Sequence, residues 1–352
     1  MSRFIQLHVL TSYPPSNLNR DDLGRPKSAL VGGVTRLRTS SQSLKRAWRT
    51  SDLFKEALGA HLGTRTKEMG NKVFKDLKAG GVDEKRAREW ARAIAGRFGK
   101  LKSEKKTERD EDLHIEQLAH FSPEEQAGID ALVAELIRKK SEPSEQQLEL
   151  LSAPVSAVDI AMFGRMLAAA PKFNVEAAAQ VAHAFTVHKA SAEDDYFTAV
   201  DDLNRGDEDA GAAHIGEAGF GAGVYYLYVC INRNLLDANL GGDATLRDKA
   251  VAALLEAIAK VAPTGKQASF ASRAYASYML AEKGSQQPRS LSLAFVKPVN
   301  GTDMIADSID ALNDRLQKMD KVYGACAEAR KFFNAETGEG SLAELIAFAH
   351  AD

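Results

Sequence analysis

The sequence predicts an α+β fold in which a sheet is assembled from distant strands and a long helical segment is inserted between them. Three observations carry this. Phe4 to Leu10 alternates, with Ile5, Leu7 and Val9 on one side and Gln6 and His8 on the other, the period-two pattern of a half-buried strand. Val224 to Ile231 reads VYYLYVCI, apolar on both faces and therefore a central strand. Between them, residues 60–150 are rich in Lys, Glu, Arg, Ala and Leu at helical spacing, with little strand signal.

The remaining elements follow in order. A Pro-, Asn- and Gly-bearing loop is expected from Ser12 to about Thr35. Ser40 and Ser41 then offer hydroxyl caps to a helix that continues to about Leu58. Within the helical insertion, the charged run Leu101 to Asp112 reads as a mobile loop or helix end. Val155 to Met162 is apolar enough for a buried strand, and a helical or extended segment follows through Ala177–Thr186. Residues 190–222 are acidic and glycine-rich with few core residues, the composition of a protruding loop or ribbon. Past the central strand, Asp243–Val261 is an amphipathic helix closed by Pro263 and Gly265. Tyr275–Leu280 and Leu291–Val296 read as strands, and helices are expected around 303–319 and 341–350. Strand, helix, strand, strand, helix, strand is the order of a ferredoxin-like or RRM-like core. RRM-type sheets often bind single-stranded RNA, but their aromatic sheet motif is absent here, so RNA binding would use another surface.

Composition narrows the class. Of 352 residues, 44% are hydrophobic and 27% charged, as in soluble globular proteins. No apolar run approaches the roughly 18 residues that span a bilayer, so no membrane partner is expected. The opening MSRFIQLHVLTSYPP reads as a strand and lacks the cleavage site of a signal peptide. Cys230 and Cys326 are distant and unpatterned, which points to a reducing cytoplasm with neither a disulfide framework nor a zinc site. Net charge is −2, which by itself argues against nucleic acid, but the charge is unevenly distributed. Residues 1–50 carry nine Lys/Arg against two Asp, whereas residues 191–220 carry nine Asp/Glu against Arg205 alone. A local cationic patch can hold phosphate on a chain that is neutral overall, and opposite patches suit stacking of copies.

The basic part has internal order. In RLRTSSQSLKRAWR (36–49), helical spacing from Gln42 places Leu44, Ala47 and Trp48 on an apolar face and Gln42, Lys45, Arg46 and Arg49 on a cationic one. The helix start adds unpaired backbone N–H groups and a positive dipole end, which suit phosphate. The alternative is an ordinary solvated basic face. No catalytic or metal site is evident. His8, His183, His188 and His214 lack a partnered nucleophile, no HExxH or phosphate-loop pattern is present, and His183 and His188 are five apart, wrong for one helix face. Asp194, Asp195, Asp201 and Asp202 could serve RNA cleavage, or form a solvated or partner-facing arm. No cofactor is implied.

IQLHVLTSYPPSNLNRDD (5–22), RLRTSSQSLKRAWR (36–49), VDIAMFGRM (158–166), AHAFTVH (182–188), YFTAVDDL (196–203), AHIGEAGFGAGVYYLYVCIN (213–232) and PTGKQASF (263–270) resemble the CasC family, the repeated backbone subunit of the type I-E CRISPR Cascade surveillance complex. The resemblance implies a hand-like subunit: palm at 1–59, 151–189 and 223–352, helical fingers at 60–150 and thumb at 190–222. Copies would stack head to tail on one CRISPR RNA beside other Cascade subunits, each thumb displacing a guide base while the rest pair with target DNA. A separate nuclease would cut. By resemblance, Arg20, Lys27 and Arg38 contact the RNA backbone, and Ser40, Gln42, Lys45, Arg46 and Arg49 form the phosphate-gripping helix. Arg165 and Met166 supply a guide contact and an apolar wedge, Phe197 and Thr198 pack beside the displaced nucleotide, and Lys266 faces the same groove. Arg138, Lys139 and Lys140 would meet incoming DNA. Val34 stands where the family's loop carries a basic residue, and neighbouring Arg36 is expected to make that contact. The alternative is a CRISPR-associated endoribonuclease on the same fold.

Overall fold

The structure, a computed structural model, describes residues 2–103, 110–151, 156–199 and 214–350. Along the chain run β1 (Phe4–Ser16), β2 (Ser28–Val31), β3 (Val34–Thr39), α1 (Ser41–Thr50), α2 (Asp52–Leu58), β4 (Thr64–Thr66), α3 (Met69–Ala79), α4 (Glu84–Ala95), β5 (Ala119–Phe121) and α5 (Pro123–Lys139). They are followed by α6 (Val158–Phe163), β6 (Ala179–Val181), β7 (Ala184–Thr186), β8 (Glu193–Ala199), β9 (His214–Asn232), α7 (Arg233–Asn239), α8 (Ala244–Lys260) and α9 (Gln267–Phe270). The chain ends with β10 (Tyr278–Gly284), α10 (Met304–Tyr323), β11 (Ala329–Asn334) and α11 (Leu342–His350). The fold is α+β, as the sequence predicts.

Two compact units divide the chain: Met1–Phe54 with Gln180–Ile231 and Val251–Asp352, and Lys55–Ala179 with Asn232–Ala250. Residues 156–179, grouped with the palm in the sequence reading, thus fall in the helical unit.

The first unit is built on the sheet β11-β10-β1-β9-β7-β3-β2, with β6 and β8 also pairing β9. Its inner order β10-β1-β9-β7 is the arrangement of a ferredoxin-like βαββαβ path, with α1 and α8 as the two crossover helices. VYYLYVCI is central because it is apolar on both faces, and β9 lies between β1 and β7. Alternation sorts the faces. Leu10, Tyr226, Tyr278 and Leu280 pack with Leu291, Phe295 and Leu312 of the 291–295 segment and α10. Thr11, Tyr225 and Leu227 line a cavity with Leu44 and Trp48 of α1 and Ile258 of α8. Both sheet faces are therefore covered over these strands, which leaves no open platform for stacked bases.

The covered face conceals a charged network. His8 is fully buried, its Nδ1 2.9 Å from the Tyr226 hydroxyl and its Nε2 3.0 Å from Glu282 Oε2. Because Leu291 N–H donates to the Tyr226 oxygen, the hydroxyl is free to donate to Nδ1, and Nε2–H donates to Glu282. Arg289 and Arg330 also donate to Glu282, at 3.1 and 2.8 Å to Oε1. Burial pushes the His8 pKa down, only partly countered by Glu282. Burial alone would raise the Glu282 pKa, but hydrogen bonds from His8 and Arg289 draw it far below the usual carboxylate range.

The second unit packs α3, α4 and α5 around Leu77, Trp90, Ile94, Ile129 and Leu136. Ser122 and Glu125 cap α5 reciprocally, serine hydroxyl to Glu125 N–H and Glu125 carboxylate to Ser122 N–H, with Pro123 opening the helix.

Several predicted elements differ. Part of the 12–35 loop is a hairpin, β2 with β3, turning at Gly32-Gly33, both at positive φ. That is the geometry in which two glycines connect adjacent strands most readily. The single helix to Leu58 breaks at Ser51, whose extended backbone ends α1 and whose hydroxyl accepts from Phe54 N–H to start α2. Val155–Met162 is not a strand: α6 covers Val158–Phe163, the short apolar run serving a helix buried from Val158 to Met162, while 152–155 lie outside the described residues. Leu291–Val296 forms a 3₁₀ turn at Ser292–Phe295 that plugs Phe295 into the core. The strand expected at Tyr275–Leu280 begins later, at Tyr278, and runs to Gly284, and β11 is an additional strand. The ribbon at 190–222 is paired at its base, where β8 runs antiparallel to β9, and its 200–213 part lies outside the described residues, as do 104–109 of the charged run.

Candidate nucleic-acid interface

Helix α1 places its predicted faces as the spacing implied. Leu44, Ala47 and Trp48 are buried, Gln42 and Arg46 are exposed, and Lys45 and Arg49 are half-buried. Desolvation lowers the Lys45 pKa from its ordinary 10.5. Ser40 is the N-cap, its hydroxyl accepting from Ser43 N–H at 3.3 Å, so this side chain serves the helix. Its own N–H donates to Asn19 Oδ1 at 2.9 Å, which ties the helix start to the first loop.

That loop is built by two asparagines. Asn17, fully buried, donates to the carbonyls of Gly24 and Gly219 at 3.0 and 2.8 Å. An Asp21 turn, its carboxylate accepting from Leu23 and Arg25 N–H, holds Arg20 exposed beside it. The 263–266 turn packs directly against the loop: a Cβ on Gly265 would lie 2.3 Å from the Leu18 carbonyl oxygen. Arg20, Ser43 and Thr264 consequently line one polar recess at the start of α1. Lys266 follows at positive φ, half-buried. Lys27 is half-buried on the far limb of the loop, its N–H bonded to Asn19 carbonyl.

The ribbon base joins the same region. A Cβ on Gly219 would meet Pro26 at 2.9 Å, and Arg25 approaches Asp194 at 3.9 Å. Phe197, 42% exposed, is paired with Gly216, where a Cβ would lie 2.5 Å from the ring. The glycine lets the phenyl ring lie across the strand. Thr198 and Tyr196 are exposed on either side of it. The packing roles of Asn17, Asn19, Gly216 and Gly265 were not read from sequence, where Gly265 stood only as a helix stop. Their only local sign is a cluster of turn-forming residues, and each role depends on a partner distant in sequence, such as Gly219 for Asn17, Ser40 for Asn19, Phe197 for Gly216 and Leu18 for Gly265.

Other candidates lie elsewhere. Arg36 is wholly buried and donates to the carbonyls of Thr186 and Phe295, both at 3.0 Å. It holds the core together and cannot make the phosphate contact expected of it. Arg38, on the same side of β3, is half-exposed and bonds Ser28 carbonyl and His183 Nδ1. In the helical unit, Arg165 is also buried, its Nη1 2.7 Å from the buried Glu125 carboxylate, and Nη2 donates to Phe173 carbonyl. Its guanidinium is engaged inside the protein, which corrects its reading as a guide contact. Met166, next in sequence, is 78% exposed above a groove that Leu118 also lines. Arg138 and Lys139 end α5 and Lys140 caps it at positive φ, all exposed, where cations complement the helix dipole. Lys139 pairs with Glu135 one turn back. His8 has no solvent access for catalysis, Asp201 and Asp202 lie outside the described residues, and no cluster of three metal-binding side chains occurs among the described residues. No helix among them is long and apolar enough to cross a membrane.

None of the curated proteins matches this sequence. Among solved structures, a chain of a "CRISPR RNA-guided surveillance complex, pre-nicking" is 30% identical, with 99% of both chains covered and a TM-score of 0.84. A chain of another "CRISPR RNA-guided surveillance complex" is 27% identical over 99% of both chains, with a TM-score of 0.74. The family model described as CT1975-like protein matches residues 5–349. This chain belongs to the CT1975-like protein family.

Proposed function

We propose that the chain is the repeated backbone subunit of a CRISPR RNA-guided surveillance complex, of the CasC kind found in type I-E Cascade. Copies stack head to tail along CRISPR RNA in the cytoplasm, beside other Cascade subunits. Each copy grips phosphates through α1 and the loops around it, and target DNA is recognised by pairing with the guide. The subunit itself performs no cleavage. The observation that carries this reading is the convergence of Arg20, the start of α1, Thr264 and the ribbon base within one unit of a chain that matches surveillance-complex subunits from end to end. Lys and Arg to phosphate, and backbone N–H groups at a helix start, bind any guide regardless of base. Specificity then resides in pairing. Phe197 and Met166 offer apolar surface to a displaced base, where stacking on an aromatic is worth about 1–3 kcal/mol.

Co-expression with a CRISPR array, followed by electron microscopy and RNA extraction, tests this. Curved or helical particles holding RNA of guide length are expected. An RNA-free monomer, or repeat RNA cut by the purified chain, would overturn it.

A further inference from the structure

Trp48 is the anchor of α1 and only 1% exposed, yet its indole N–H has no hydrogen-bond partner among the described residues. Buried indole N–H groups usually find an acceptor, because an unpaired one keeps the full desolvation penalty. The same side chain lines a small cavity between α1 and the sheet, with room of about 20 Å³ for the centre of a water molecule. One water needs about 10–15 Å³ measured this way and two to four polar partners. Four of the surrounding side chains carry hydroxyls: Thr11, Tyr13, Thr39 and Tyr225. The tyrosine rings are held edge to face at 5.5 Å, and burial pushes both phenol pKa values up, so each stays a neutral donor and acceptor. Wholly apolar cavities stay dry, whereas one that offers a water two to four polar partners holds it.

We propose that a single water molecule is a resident part of the fold here, accepting from Trp48 Nε1–H and donating to hydroxyl oxygens of the cavity wall. It completes the hydrogen bonding of the inward face of α1, the helix whose outward face carries Lys45, Arg46 and Arg49. The inference stands on the cavity and the unpaired N–H, independently of what the outward face binds.

Two measurements on the full chain test it. The sequence has two tryptophans, so ¹⁵N-indole labelling gives two N–H resonances, and W90F leaves the one of Trp48. A cross-peak to water with the sign of a long-lived, protein-bound molecule is expected at that resonance. Its absence overturns the proposal. A crystal structure fine enough to show ordered solvent should place a water within hydrogen-bond distance of Trp48 Nε1. A direct bond from Nε1 to a Tyr or Thr hydroxyl, or an empty cavity, would equally overturn it. W48F then separates the two contributions to packing: the benzyl ring still fills most of the site, and the water should become less ordered in that variant. Unchanged water order would overturn the assignment of Trp48 Nε1–H as its donor.

Discussion

Replacing Lys45 and Arg49 together with Ala is the sharpest test of the α1 surface. The two residues are one helical turn apart, about 6 Å along the axis, so a single strand can set successive phosphates against them. Neither belongs to the buried face that Leu44, Ala47 and Trp48 form, so the fold should survive the change. Each phosphate contact to a single strand contributes about 0.7 to the slope of log K against log salt. Losing two should flatten that slope by about 1.4. Between about 50 and 200 mM salt, the variant should therefore lose about sevenfold less affinity than the parent. Fluorescence anisotropy with two guides of unrelated sequence, over a salt series, reads this directly. The loss should be the same for both guides, and circular dichroism should show unchanged melting. An unaltered slope, or a loss confined to one guide sequence, would refute the phosphate assignment.

Three further outcomes follow from the buried geometry. R165M should cost about 3–5 kcal/mol in denaturant unfolding, because it strands the Glu125 carboxylate inside the protein; a stable variant with impaired RNA loading would restore the guide-contact reading. G265A forces the 263–266 turn off the Leu18 carbonyl and should lower stability by about 1–3 kcal/mol while weakening RNA binding, measured by melting and anisotropy. For pH, the folded protein holds His8 neutral below its ordinary pKa of 6.5, so the unfolded chain binds the extra proton and stability falls as pH drops below 6.5. The slope from this one group approaches about 1.4 kcal/mol per pH unit, and Glu282 adds a further loss below 4.5 as its depressed folded pKa is approached. H8Q should flatten the upper part of that window in urea titrations from pH 7 to 5, and an unchanged profile would dissociate His8 from acid sensitivity.

The sites that were legible in sequence share one property: a short pattern that states its own partner. Ser40 caps the helix three residues ahead, and the apolar and cationic faces of α1 follow from spacing alone. The misread stretches lack that property. Val155–Met162 and Leu291–Val296 are apolar runs too short for periodicity to separate a strand from a helix turn. The Gly32-Gly33 turn was visible in sequence as two glycines between Val31 and Val34, yet it was subsumed in a long loop.

Local sequence determined the start of α1, the outward setting of Gln42 and Arg46, and the central place of β9. It did so because cap chemistry and side-chain period act within one or two turns. Only the tertiary structure decided which cations reach solvent. Arg36 and Arg38 share one side of β3, but the carbonyls of Thr186 and Phe295 enclose the first and leave the second at the surface. Arg165 and Met166 are adjacent, yet Glu125, forty residues earlier, takes the arginine inward while the methionine stays exposed. A strand or helix pattern fixes the direction a side chain takes; what covers it there is set by segments folded in from far along the chain.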